Sequence, residues 1–280
     1  MALVETKQTQ RKAADSISVR DKLAAMFSKI MAGTITREEG TMLINDLAKE
    51  NYEDTLKELF FLIDNPPAGV FPKTILHTVA LTRNKAFNKI MVASLEHKNA
   101  GVSILAASEL GRLRTAEAKD VLREHLNSES YHVRQASAVA IIEGFGDDGV
   151  DILKKHILTH HEPFYRATSS QALLKAERKG IECLLTILNS GSPGAVSTAA
   201  TSLGSAVPVL EKDDVPKIFE ALMRAGDKKE TPAIIELLKV VALLKGKARG
   251  YKGFVQAFTD YPVELVKTEA KNALRVMGGL

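Results

Sequence analysis

A pattern repeated across residues 99–204 constrains the fold more than any other feature of this sequence. Four segments of this region are rich in small residues and end near a Leu or Ile. Each is followed by a turn and by a second apolar stretch at helical spacing. The four segments are VSILAASELG (102–111), VRQASAVAII (133–142), YRATSSQALL (165–174) and AVSTAATSLG (195–204). A unit repeated in this way is typical of a helical solenoid, in which each unit packs only against its neighbours. The sequence therefore predicts an all-α fold, an α-α superhelix built from helical hairpins.

The period can be followed beyond those four segments. With the last Leu or Ile of each first helix as a marker, successive markers are 29, 31, 32, 30, 40 and 31 residues apart. Prolines stand 9 to 12 residues before five of the markers, where a first helix should begin and a missing N–H costs least. We place the extra residues of the longest step in a turn around Val207–Asp214. The markers are Leu81, Leu110, Ile141, Leu173, Leu203, Leu243 and Leu274, and the prolines are Pro72, Pro163, Pro193, Pro232 and Pro262.

Three segments follow from this pattern. Residues 1–14 are polar and predict a frayed tail. Residues 15–70 predict a helical N-terminal cap, within which Thr36–Glu39 has the form of a capping box. Residues 71–280 predict the repeat array, with about six helical hairpins and a terminal capping helix, Val263–Met277.

Composition limits the class of protein. With 45% hydrophobic and 26% charged residues, the chain is typical of a folded domain, and no apolar run approaches the length of a membrane-spanning helix. The N-terminal residues lack the apolar core of a secretory signal, and the single cysteine, Cys183, favours a reducing cytoplasm. A net charge of +4 permits an anionic partner without requiring one. The sequence therefore predicts a cytoplasmic protein with no membrane insertion, and it leaves the oligomeric state open.

The repeated units resemble HEAT repeats, and they are similar to the short bacterial type also found in phycobilisome lyase subunits. The residues that carry the resemblance are Val133, Arg134, Ala136, Ala138 and Ile141, then Tyr165, Arg166, Ala167, Ala172 and Leu173, and, before them, Val102, Ala106, Ala107, Leu110 and Gly111. Ser103 stands where the repeat prefers Arg. The resemblance covers about residues 71–280 and implies the fold. It leaves function open, because HEAT repeats occur in scaffolds, lyases, nucleic-acid enzymes and transport factors.

Basic residues in the turns are candidates for binding an anionic partner. Stacked turns would form a basic rim that could contact phosphates or an acidic protein surface. An acidic turn at Glu143, Asp147 and Asp148 interrupts this rim, and cations are favoured at helix C-termini by the helix dipole in any case. Solvated helix ends are therefore the competing interpretation. The candidates are Lys245, Lys247, Arg249 and Lys252, together with Arg112 and Arg114.

No residues form a convincing catalytic or metal-binding motif. His156 and His160 are spaced to hold a metal on one helix, but the iron-binding His-Glu pairs of the deoxyhypusine hydroxylase family, another HEAT-repeat family, are matched here only by His161-Glu162. His156 is therefore interpreted as a structural position. Cys183 lies in an apolar stripe without a neighbouring base, and we interpret it as a buried hydrophobic residue. The sequence predicts no cofactor, no metal and no catalytic residue.

The leading functional hypothesis is a non-enzymatic scaffold or adaptor that binds another protein on the concave face, predicted to be lined by the second helices. Curved solenoids present long binding faces, and Lys154 and Lys155 are candidate contacts on this face. Two alternatives stay open. One is an accessory enzyme that resembles a phycobilisome chromophore lyase, and the other is nucleic-acid binding through the basic turns.

Overall fold

The computed structural model describes residues 17–278, so the predicted N-terminal tail lies outside the described residues. This part of the chain contains α-helices joined by turns and short 3-10 helices, and it contains no strand. It divides into two compact units, the first ending at Leu110 and the second beginning at Gly111. Within each unit the helices pack as successive hairpins, which confirms the predicted all-α fold.

The first unit contains five helices and most of a sixth. They are α1 (Val19–Met31), α2 (Arg37–Glu50), α3 (Tyr52–Asp64), α4 (Pro72–Leu81), α5 (Asn88–Ser94) and α6 (Ala100–Leu113), the last of which runs into the second unit. The predicted capping box at the start of α2 is confirmed. The backbone N–H of Glu39 donates to Thr36 Oγ1 at 3.1 Å, and the Thr36 N–H donates to Glu39 Oε2 at 2.7 Å.

The second unit contains nine further helices. They are α7 (Ala116–Glu124), α8 (Tyr131–Thr159), α9 (Pro163–Leu173), α10 (Glu177–Ser190), α11 (Pro193–Ala206), α12 (Asp214–Asp227), α13 (Thr231–Leu244), α14 (Lys252–Gln256) and α15 (Glu264–Gly278). The long α8 is two helices merged across a kink at Gly146. The first half of α8 therefore acts as a first helix of the repeat and its second half as a second helix.

These helices form two layers in the second unit. The first half of α8 packs against α9, and α9, α11, α13 and α15 follow side by side, giving a layer of first helices. The second half of α8 packs against α7 and α10, and α12 follows α10, giving a layer of second helices. The core lies between the layers, where large apolar side chains such as Leu153, Leu184 and Leu237 are fully buried.

The burial pattern corrects the sequence register at both ends of the array. Leu81 and Leu243 are 38% and 50% exposed, whereas Val79 and Val241 are buried in the positions expected for the markers. At the C-terminal end Ala273 is fully buried, and it replaces Leu274 as the equivalent residue. The corrected markers are 31, 31, 32, 30, 38 and 32 residues apart. In a helix with several neighbouring apolar residues, the sequence does not show which of them faces the core. This ambiguity explains why the predicted markers lie one or two residues away from the buried positions.

The helix starts and the long turn follow the prediction. Pro72, Pro163 and Pro193 are the first residues of their helices, and Pro232 is the second residue of α13. The extra residues of the longest step form a 3-10 helix over Val207–Val209 and a turn that leads into α12. Pro262 lies two residues before α15, so four of the five predicted prolines are confirmed at the beginning of a first helix.

Several turns between first and second helices contain a residue with positive φ. The φ angles are 52° at Arg83, 51° at Arg114, 53° at Gly146, 50° at Glu177 and 52° at Lys245. The corresponding ψ angles are −118° at Gly146, −126° at Glu177 and −125° at Lys245. Side chains rarely tolerate this conformation, and only one of the five positions has glycine. The repeat therefore imposes the same backbone bend whatever the residue.

Candidate binding surfaces

The two arginines that carry the repeat motif each use Nη1 to bind backbone carbonyls. Arg134 Nη1 donates to the carbonyls of Ser128 and Glu129 at 2.7 and 2.9 Å. Arg166 Nη1 donates in the same way to the carbonyls of His160 and His161, at 3.0 and 2.6 Å. Both arginines are buried, and each satisfies carbonyl groups in the loop that precedes its own helix. The motif arginine is thus part of the repeat's architecture.

Ser103 satisfies the equivalent carbonyl where the arginine is missing. In the first unit, Ser103 Oγ donates to the carbonyl of His97 at 2.9 Å, six residues earlier, which is also the spacing from Arg134 to Ser128. In the second unit, Arg224 of α12 donates to different carbonyls, those of Leu188 and Asn189 in the last turn of α10. The departure of Ser103 from the motif therefore preserves the same backbone contact.

The predicted basic segment after α13 contains cations with different surroundings. Lys247 Nζ donates to the carbonyls of Val207 and Leu210 at 3.3 and 3.2 Å, where it satisfies the end of the long turn. Lys252 Nζ lies at the C-terminal end of α15, beside Gly278, where the helix dipole favours a cation. Lys245 and Arg249 are exposed, and in the described chain neither side chain makes a hydrogen bond or ion pair. Two of the four cations thus have a structural contact.

Two lysines near the other turns are paired with acids. Lys119 Nζ lies 3.3 Å from Asp148 Oδ2, and Lys179 Nζ lies 2.5 Å from Asp147 Oδ1. The acidic turn therefore links to the second helices on both sides. Arg112 and Arg114 are exposed at the end of α6, where Arg114 occupies one of the positive-φ positions.

Arg178 holds the long turn to α10. Its guanidinium donates two hydrogen bonds to the carboxylate of Asp214, from Nη1 at 2.6 Å and from Nη2 at 2.8 Å. Asp214 is fully buried, and its carboxylate also accepts from the backbone N–H of Glu211 at 2.9 Å. The Arg178 guanidinium lowers the pKa of Asp214 and so favours the ionised pair. This cation is therefore committed to structure.

His156 has both ring nitrogens in hydrogen bonds. Ser169 Oγ lies 2.9 Å from Nδ1, and Asn127 Oδ1 lies 3.1 Å from Nε2. Burial, followed by the effect of the neighbouring His160, lowers the pKa of His156 to about 4. A neutral ring that accepts from Ser169 and donates to Asn127 fits this pKa. The order of groups is that of a catalytic triad, but the Ser169 side chain is completely buried and cannot meet a substrate. These contacts agree with the interpretation of His156 as a structural residue, which stays a prediction.

The remaining chemical candidates are also accounted for. Cys183 is buried, and desolvation raises the pKa of its thiol to about 11, which disfavours a reactive thiolate. Among residues 17–278, no cluster of three or more His, Cys, Asp or Glu side chains is arranged to hold a metal ion. None of the helices in this range is long and apolar enough to cross a membrane.

A groove on the second-helix layer contains one of the two predicted protein-binding lysines. This His156 groove has a volume of about 660 Å³ and lies between α7 and the second half of α8. Its charged lining residues are two acids and two bases, Asp120, Glu124, Arg123 and Lys155, and Arg123 pairs with Asp120 at 3.1 Å. Lys154 lies on the second half of α8, close enough to Cys183 to lower the pKa of its thiol against the larger effect of burial.

Two adjoining grooves lie on the first-helix layer of the second unit. The Tyr131 groove, about 430 Å³, lies between the first half of α8 and α9. The Ser197 groove, about 600 Å³, crosses α9, α11, α13 and α15. The grooves share Ala167 and Gln171, so they form one continuous surface across five successive first helices.

This surface combines small floor residues with exposed apolar walls. Ala167, Gly194 and Ser197 line it without projecting far from the helices, which leaves space above them. Phe164 is 74% exposed, Tyr131 is 55% exposed and Leu265 is 52% exposed, and all three line the grooves. Exposed aromatic and aliphatic side chains gathered along adjoining grooves are characteristic of an interaction site.

These grooves were not predicted from the sequence, because the first helices were interpreted as elements that only pack against their neighbours. The Ser- and Ala-rich segments do pack closely, as the 2.7 Å hydrogen bond between the buried Ser170 and Ser202 hydroxyls shows. Their solvent-facing positions nevertheless lack charge, as at Gln135, Gln171 and Thr201. Uncharged solvent-facing positions repeated along successive helices were the signal that could have located this surface.

Comparison with known families agrees with the repeat pattern. Residues 56–143 and 88–174 each match the family model of HEAT repeats. The two matches overlap and together span residues 56–174, and over this part the chain is similar to HEAT repeats. No curated protein matches the chain.

Solved structures of helical-repeat proteins show distant similarity. Human deoxyhypusine hydroxylase in complex with glycerol is 15% identical, with a TM-score of 0.38, over 94% of this chain and 98% of that chain. An engineered protein is 18% identical, with a TM-score of 0.37, over 69% and 96% of the two chains. A designed armadillo repeat protein is 15% identical, with a TM-score of 0.34, over 67% and 98%. Similarity at this level carries no argument about what this chain does.

Proposed function

We propose that this protein is a non-enzymatic scaffold that binds a segment of a partner protein on the first-helix grooves of its second unit. The observation that carries the proposal is the row of exposed apolar side chains, Tyr131, Phe164 and Leu265, along a surface of small, mostly uncharged residues. Apolar side chains that stay exposed to water do not stabilise the fold, whereas covering them with a partner makes the free energy of binding more favourable.

The second-helix face, predicted from the sequence as the binding surface, is less suited to this role. Its groove is lined by acids and bases in equal number, and part of that charge is already paired within the groove. Exposed paired charges favour water and contribute little on binding. The distribution of charge therefore favours the first-helix face, with Lys154 and Lys155 outside the binding surface.

The two alternatives have less support. Nucleic-acid binding needs a row of cations free to meet phosphates, but Lys119, Lys179 and Arg178 are paired with carboxylates and Lys247 with backbone carbonyls. Within the described residues, no nucleophile, base or metal cluster favours an accessory enzyme related to the chromophore lyases.

Affinity capture with matched variants tests the proposal. Phe164→Ser and Leu265→Ser together should remove a specific partner that the wild-type protein retains, because they delete the exposed apolar contacts. The control is Lys154→Glu with Lys155→Glu, which reverses charge on the other layer and should leave capture unchanged. If the partner is still captured by the Phe164→Ser, Leu265→Ser variant but is lost with the Lys154→Glu, Lys155→Glu variant, the assignment of binding to the first-helix layer is wrong.

A further inference from the structure

We propose that the segment bound in the first-helix grooves is acidic and carries bulky apolar side chains. This inference rests on the proposed function and specifies the chemistry of the partner. It begins with charge, because the two grooves are lined by four cations and one carboxylate: Arg134 and Lys175 in the Tyr131 groove, and Arg166, Lys239 and Glu236 in the Ser197 groove. The net formal charge of the surface is therefore +3.

The two exposed lysines differ in how far their charge is compensated. Lys239 Nζ lies 2.7 Å from Glu236 Oε1, and the other carboxylate oxygen accepts from Thr201 Oγ1 at 3.1 Å. Lys175 is exposed and, in the described chain, makes no hydrogen bond or ion pair. Lys175 is thus the strongest available contact for a carboxylate on a ligand.

A buried donor in the Tyr131 groove adds an independent observation. Arg134 lines this groove and is almost completely buried, yet its Nε–H has no hydrogen-bond partner. Buried donors without an acceptor are rare because each one lowers the stability of the folded state. Because Arg134 lines the groove, a carboxylate bound there would also be attracted by the positive charge of this guanidinium.

The walls of the same groove select an apolar side chain beside the acidic group. Tyr131 and Phe164 stand on neighbouring helices and both line the Tyr131 groove, with Ala167 and Val139 between them. An aromatic or long aliphatic side chain placed there would cover both exposed rings. A phosphate backbone would leave them uncovered, so a peptide fits this surface better than a nucleic acid.

Selection from a library of random dodecamer peptides tests the inference on the full-length protein. The library is selected on the wild type and counter-selected on Phe164→Ser, and the enriched peptides are titrated by fluorescence anisotropy. We expect enriched peptides with net negative charge and at least one aromatic or Leu residue. We expect Lys175→Glu to weaken their binding about tenfold, and Lys155→Glu, the matched exposed lysine on the other layer, to change it less than about twofold.

Each other outcome overturns the inference. Enriched peptides that are neutral or basic, or that bind equally well to Lys175→Glu, would show that charge does not select the ligand. Displacement of the peptides by a single-stranded oligonucleotide at lower concentration would assign the surface to nucleic acid. If no peptide is enriched, the inference fails. The proposed function then fails as well only if partner capture is also unchanged by Phe164→Ser with Leu265→Ser, so the two failures can be told apart.

Discussion

The bend between first and second helices gives a prediction whose magnitude can be worked out from the backbone. Gly146 has φ 53° and ψ −118°, and Lys245 has φ 52° and ψ −125°, so one position is relaxed by glycine and its equivalent is not. A Cβ atom on Gly146 would meet no other atom within 4 Å. Gly146→Ala therefore changes backbone energy without adding a steric clash, and Lys245→Gly makes the opposite change.

The expected effects have opposite signs. Holding a side-chain-bearing residue in a sparsely populated backbone region costs about 1–3 kcal/mol. Alanine also loses about 0.5–1 kcal/mol less conformational free energy than glycine on folding, which offsets part of that cost. Gly146→Ala should therefore lower the free energy of unfolding by about 1–2 kcal/mol, and Lys245→Gly should raise it by a similar amount.

Equilibrium unfolding in urea, followed by circular dichroism, measures both changes. Gly250→Ala is the matched control, since its Cβ also meets no atom within 4 Å and its φ is not in the positive region. The control should be neutral or stabilising by about 0.4–1 kcal/mol. Destabilisation by Lys245→Gly, or equal effects of Gly146→Ala and Gly250→Ala, would refute the reasoning that the repeat imposes this bend.

Three further predictions concern the interior of the second unit. His156 has a folded-state pKa of about 4, below the usual 6.5, so the unfolded chain takes up the proton first and the free energy of unfolding falls as the pH drops from 6.5 to 4. His156→Gln should remove about 2 kcal/mol of this loss, a value that allows for the partial exposure of the ring. Urea unfolding at several pH values measures the effect. Arg166→Met should lower the free energy of unfolding by about 2–3 kcal/mol, because two loop carbonyls lose their donor, while the exposed Lys175→Met should cost less than about 0.5 kcal/mol. Gly180→Ala should lower the thermal midpoint sharply, because its Cβ would collide with the Leu173 carbonyl; an unchanged midpoint would show that the second helix can move away.

The sequence predicted the architecture well because the repeat has local signals that act independently. Prolines mark the starts of the first helices, Thr36–Glu39 marks a capped helix start, and apolar periodicity marks the buried stripes. Where only one signal was present, as at Leu81 and Leu243, the register shifted to a solvent-facing residue.

Contacts between repeats were harder to predict because they join residues far apart in the chain. Lys179 meets Asp147 and Ser170 meets Ser202, each 32 residues apart, which is one repeat period. Side chains one period apart are neighbours in a stacked array, so the period could have indicated such pairs. It does not indicate which pairs bond. For that reason Lys247, which donates to two backbone carbonyls of the long turn, was a candidate for a ligand at the sequence level.

The candidate surface depends on exposure, which the sequence does not encode directly. Phe164 occupies the first turn of α9, where periodicity alone is compatible with either face. Its 74% exposure and the proximity of Tyr131 across the groove emerge only from the packing of α9 against α8. The charge of Lys175 becomes informative for the same reason, because the packing places it in that groove.

Hydroxyl-radical footprinting of the protein with and without its captured partner tests the central claim most directly. The account predicts that binding protects Tyr131, Phe164 and Leu265 on the first-helix grooves, while Val121 and Ile152 in the His156 groove keep their reactivity. Protection of Val121 and Ile152 with unchanged oxidation of Tyr131, Phe164 and Leu265 would contradict it and would place the partner on the second-helix layer.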